Sequence, residues 1–165
     1  MNNTKNIARG GLYAALTVIL IYISGIIPTS KLSLLTIVSA IIPYSILTTG
    51  VKNSFVVYFA ASLLSLILGI KGIAFAYVIF FGLYGFVKYY VEALDKMVIE
   101  FIIKFVFFNL SMGILYFAYS SLFTDSLSTK LPIYLIIIGA EIAFIIYDYA
   151  LTLIINYIRT KFIKK

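Results

Sequence analysis

Gly10-Gly11-Leu12-Tyr13-Ala14-Ala15-Leu16-Thr17-Val18-Ile19-Leu20-Ile21-Tyr22-Ile23-Ser24-Gly25-Ile26-Ile27 contains no charged residue and is apolar on every side. A hydrocarbon layer of ~30 Å is crossed by about 20 apolar residues in helical form. Residues 10–27 therefore have the length of a membrane span. Comparable runs follow at residues 32–49, 54–70, 72–90, 98–123 and 131–158. Short polar breaks separate them, the longest being Thr124-Asp125-Ser126-Leu127-Ser128-Thr129-Lys130. Strands do not fit, because a membrane barrel alternates apolar and polar residues. No repeat or linker divides the chain. The expectation is one integral membrane domain over residues 1–165, an all-α six-transmembrane-helix bundle.

Composition agrees. The chain is 63% hydrophobic and 12% charged, where a soluble domain carries about 25% charged residues. Its mean hydropathy is +1.10. Cys 0 and His 0 remove the usual zinc, haem and iron–sulfur ligands and any Ser-His-Asp or Cys-His nucleophile. No catalytic constellation, metal site or cofactor is expected, and the chain does not read as an enzyme. Glu141 and Asp148, two turns apart, are the only support for a membrane enzyme.

The net charge of +7 reads as basic flanks facing anionic lipid rather than as nucleic-acid binding. With six spans, Lys5, Arg9, Lys52, Lys88, Lys96, Lys104, Arg159, Lys161, Lys164 and Lys165 share the side of both termini. Lys31, Lys71 and Lys130 lie opposite. Basic residues collect on the cytoplasmic side, so both termini are expected in the cytoplasm of a multi-pass plasma-membrane protein. Residues 1–9 are short and positive, as before a signal peptide. The five later spans favour an uncleaved first helix.

Polar residues inside apolar runs are costly and are paired or functional. Lys88 with Glu92, Glu92 with Lys96, and Glu100 with Lys104 have the spacing of pairs on one helix face. Glu141 differs. It lies about ten residues into the last run, or ~15 Å at the helical rise, with no basic residue within a turn. It either hydrogen-bonds a tyrosine and orders the bundle or touches a ligand. Asn109 lies at comparable depth in the fifth run, beside Ser111. Tyr77, Phe80, Phe81 and Tyr84 share one face of the fourth, as a packed core or as a stacking surface. Gly82 and Gly85 thin a face of that helix. Gly10/Ala14 and Gly11/Ala15 form two small-residue ridges on the first helix, of which only one need pack inward.

Ile7-Ala8-Arg9-Gly10-Gly11-Leu12-Tyr13-Ala14-Ala15-Leu16 and Ile27-Pro28-Thr29-Ser30-Lys31-Leu32 resemble the substrate-binding S components of energy-coupling factor transporters. The runs Tyr77-Val78-Ile79-Phe80-Phe81-Gly82-Leu83-Tyr84-Gly85-Phe86-Val87-Lys88 and Lys104-Phe105-Val106-Phe107-Phe108-Asn109 resemble a clostridial-type set of small membrane proteins placed near that group. The resemblance implies a bacterial six-helix bundle that captures a vitamin-like small molecule from outside. It implies docking on a transmembrane coupling subunit with two cytoplasmic ATPases, and an ABC-type importer as the assembly. In the family an alanine-xxx-alanine face of the first helix meets the coupling subunit, and Gly11 and Ala15 occupy those positions here. The family's pocket lies under the outer loops, which implies Lys31, Lys71, Tyr77, Lys130, Tyr134 and Glu141 as ligand contacts, with Asn109 added by depth. Three outer lysines against one aspartate favour an anionic or polar-aromatic ligand. The alternative is a non-transporting scaffold, similar to the rod-shape-determining membrane protein D family.

Overall fold

The computed structural model describes residues 2–27, 31–69, 71–122, 132–158 and 160. These are helices and the turns between them, with no strand among the described residues. Helix α1 is Asn2–Ile26, α2 Lys31–Thr49 and α3 Val51–Ile67. Lys71–Ala76, a wide π-helical turn at Tyr77–Phe81 and Gly82–Glu92 run on as one helix, α4. Helix α5 is Met97–Leu122 and α6 Ile133–Ile158.

Five of the six are long and apolar enough to cross a membrane: α1, α2, α4, α5 and α6. The third falls short at 17 residues, or ~26 Å at the helical rise. Its run was expected at residues 54–70, but the helix ends at Ile67. Gly69 takes φ 78°, a left-handed conformation that glycine adopts without strain and that stops a helix. At the start of the chain the helix reaches back through the charged residues 5–9 to Asn2.

Side-chain hydrogen bonds fix the direction of neighbours. The Tyr13 and Thr48 hydroxyls meet at 3.1 Å, so the start of α1 lies beside the end of α2. The Tyr58 hydroxyl of α3 donates to the Val78 carbonyl of α4 at 2.7 Å. Lys104 of α5 donates to Glu92 of α4 and to Asp148 of α6. Successive helices are antiparallel throughout. The first residues of α1 and the last of α6 therefore share one end of the bundle, called here the proximal end.

Helix α2 is the hub and packs against α1, α3, α4 and α6. Of the apolar windows, 56% of α2 and 50% of α4 is buried, against 17% of α5 and 11% of α6. The seam between α2 and α4 is close because α4 lacks side chains where it meets α2. A Cβ on Gly85 would fall 2.8 Å from Pro43 Cδ and 2.9 Å from Ile42 Cβ. One on Gly82 would fall 2.6 Å from the Tyr58 ring, so glycine there lets Tyr58 reach the Val78 carbonyl. Both glycines thin the face expected of them.

The circumference is apolar. Leu12, Val56, Ile67, Val98, Phe117 and Ile146 are all well exposed, on helices with few polar residues. Large exposed apolar surface marks a site of contact with protein or lipid, and helices apolar all round suit a hydrocarbon surrounding. The bundle fits a multi-pass membrane protein.

Candidate functional site

Two features divide the bundle. The first is an ion cluster in its proximal half, with two buried lysines and three part-exposed carboxylates. Lys88 sits one turn before Glu92 on α4, which brings Nζ to 2.6 Å from Glu92 Oε1. The same Nζ reaches Asp148 Oδ1 of α6 at 2.5 Å and donates to Thr152 Oγ1 at 2.7 Å. Lys104 Nζ lies 2.6 Å from Glu100 Oε1, 3.0 Å from Asp148 Oδ2 and 3.2 Å from Glu92 Oε1. The Tyr84 hydroxyl donates to Asp148 Oδ1 at 2.6 Å. Two cations and three carboxylates thus tie α4, α5 and α6 together.

Lys88 is 1% exposed. A buried ammonium is tolerable only when paired and hydrogen-bonded on several sides, and both lysines meet that condition. The expected pairs Lys88–Glu92 and Glu100–Lys104 are present. Asp148, grouped with Glu141 on sequence spacing, belongs here instead, where it joins the two lysines. Sequence spacing does not show this grouping, because Lys88, Lys104 and Asp148 stand on three different helices.

Above the cluster lies a layer of rings. Phe80 stacks on Tyr84 at 5.5 Å between centroids, and Phe108 stacks on Phe144 at 4.4 Å. Helices α5 and α6 meet through these side chains rather than by close backbone approach.

The second feature is a cavity of about 390 Å³ that runs from the distal edge to the middle of the bundle, within the ~300–1,000 Å³ range of small-molecule sites. Thr36 and Ser33 of α2, Phe80 and Phe81 of α4, Phe108 of α5, and Phe144 and Tyr147 of α6 line it. Small residues of α6, Ala140, Ala143 and Ala150, leave the space. Phe80 and Phe81 come from the face read in sequence as a stacking surface. Phe108, Phe144 and Tyr147 were missed, because aromatics are abundant in every apolar run and spacing alone does not select these.

The expected ligand set is dispersed. Tyr77 is fully buried against Tyr58, with a hydroxyl lacking a hydrogen-bond partner among the described residues. Asn109 is exposed and its amide donates to the Phe105 carbonyl of its own helix at 3.0 Å. Tyr134 and Lys31 are exposed at the distal ends of α6 and α2. Glu141 is half-buried, with no hydrogen bond or ion pair among the described residues, and is one residue from Ala140 of the cavity wall. Lys130 and the side chain of Lys71 lie outside the described residues, as do Arg159, Lys161, Lys164 and Lys165. None of Lys31, Tyr77, Asn109, Tyr134 and Glu141, the five whose side chains are described, lines the cavity.

The two ridges of α1 separate as their spacing allows. Ala14 is buried, and a Cβ on Gly10 would touch Val57 at 3.4 Å. Gly11 and Ala15 are exposed, with nothing within 4 Å of a Cβ on Gly11. Comparison with known protein families, curated proteins and solved structures found no match.

Proposed function

We propose that this chain is the substrate-binding subunit of an energy-coupled membrane importer. In this reading it lies in a bacterial plasma membrane as six spans, with the proximal end and both termini in the cytoplasm. The observation that carries it is the cavity that reaches from the distal edge of α2 to the middle of the bundle, where a solute from outside would be captured. The outward ridge of Gly11 and Ala15 on α1 supports it, since small residues let a partner helix approach closely. The basic residues at the proximal end support the orientation. In this reading energy would come from a coupling subunit and two cytoplasmic ATPases. The cargo is a vitamin-like small molecule.

Purification of the tagged chain in mild detergent, followed by native mass spectrometry, tests this reading. Coupling and ATPase subunits should accompany the wild-type chain, and Gly11→Leu should lose them while remaining folded. Normal copurification of Gly11→Leu would remove the docking face. Absence of any ATPase partner from the wild-type preparation would remove the importer.

A further inference from the structure

Among the described residues, the cavity wall carries no charged side chain. Each lysine and carboxylate of the proximal cluster is already engaged by an opposite charge. A ligand charge placed among Phe80, Phe108 and Phe144 would be desolvated without a counter-ion, which costs several kcal/mol or more. The expectation of an anionic ligand, drawn from the distal lysines, does not extend to this space. Ring faces and small alanines instead favour a flat apolar body, which gains by burial and by offset or edge-on stacking.

The opening has a direction. Ile146 lies halfway along α6, lines the cavity and is 64% exposed. Met112 of α5 also lines it and is 42% exposed. The rim therefore reaches the flank of the bundle at mid-height, between helices that meet only through side chains. Apart from Tyr147, its polar lining groups are Ser33 and Thr36, both on the first turns of α2 at the distal edge.

We propose that the cavity takes an uncharged, ring-bearing apolar molecule that arrives sideways through the hydrocarbon layer, its one polar group resting against Ser33 and Thr36. The inference names the cargo class for the importer reading and rests on that reading for its membrane placement. Occupancy itself belongs to the isolated chain.

The test uses the purified full chain in lipid nanodiscs. Its 14 tyrosines and absence of tryptophan allow binding to be followed by saturable quenching of tyrosine fluorescence, with empty nanodiscs subtracted. The probes are naphthoquinone, naphthalene, and naphthalene sulfonate as the charged form of the same ring. Naphthoquinone should saturate, and the sulfonate should bind at least about tenfold more weakly. Ala143→Phe, an exposed position on the wall, should weaken naphthoquinone by about tenfold or more. Leu153→Phe, on the same helix away from the cavity, should leave it unchanged. Ser33→Ala with Thr36→Val should weaken naphthoquinone and spare naphthalene.

Equal binding of the sulfonate, unaltered binding in Ala143→Phe, or unsaturable naphthoquinone in the wild-type chain would overturn the proposal. A chain that assembles with its ATPases yet shows no saturable site would overturn this inference alone. A chain that binds naphthoquinone but recruits no ATPase would remove the importer and leave the cavity assignment standing.

Discussion

The proximal and distal halves of the bundle use the same three helices in opposite ways. Near the chain termini, α4, α5 and α6 are cross-linked by Lys88, Lys104, Glu92, Glu100 and Asp148. From mid-height to the other end they carry rings and alanines and border a cavity open at its side. A buried lysine is costly to leave without its carboxylate, so its partners are held close. Apolar packing tolerates a gap, at the cost of lost contacts. Rigidity and capacity are thus assigned to different heights of one bundle. The cluster holds the helices together at one end so that they can stand apart at the other.

The largest expected effect comes from breaking the proximal end. Lys88→Met leaves Asp148 with one cation fewer and should cost ~3–5 kcal/mol of unfolding free energy, measured by denaturant titration in detergent. Asp148→Leu should be costly in the same way, because it takes a carboxylate from both lysines and the acceptor from the Tyr84 hydroxyl. Next is the seam that both halves share. Gly85→Val drives a side chain into Pro43 and Ile42 and should cost about 1–3 kcal/mol in the same titration. Filling the distal end should matter less. Ala143→Phe enters open space and should change stability by less than about 1 kcal/mol, even though it blocks the probe. The smallest effect belongs to Gly11→Leu, which meets nothing within 4 Å and should stay within about 0.5 kcal/mol of wild type. If Ala143→Phe proved as costly as Lys88→Met, the distal half would be packed as tightly as the proximal, and the contrast would disappear.

The helices were legible because hydrophobic run length is a one-dimensional property. The runs at 32–49 and 98–123 became helices at Lys31–Thr49 and Met97–Leu122. Pairs one turn apart, Lys88 with Glu92 and Glu100 with Lys104, were legible for the same reason. Asp148 was not, since its partners are 60 and 44 residues away and meet it only once the helices are set in register. The cavity was harder still. It depends on which faces α2, α4, α5 and α6 turn toward one another, and an apolar run with no polar side shows no preferred face. That is why Tyr77, on the stacking face, sits in the core while Phe144, unremarked in sequence, lines the void.

The wide turn at Tyr77–Phe81 has a consequence for how this chain tolerates change in length. A π turn accommodates about one residue more than an α turn, and one residue of α-helix is ~100° of rotation. The extra residue is absorbed in the wide turn, so Tyr84 and Lys88 keep the phase that faces Asp148. Removing one amino acid between 77 and 81 would restore ordinary winding and leave that phase nearly unchanged, whereas the same deletion at Leu83, in regular α winding, would rotate Tyr84 and Lys88 by ~100° away from Asp148. A single-codon loss is therefore absorbed in the wide turn and damaging just after it.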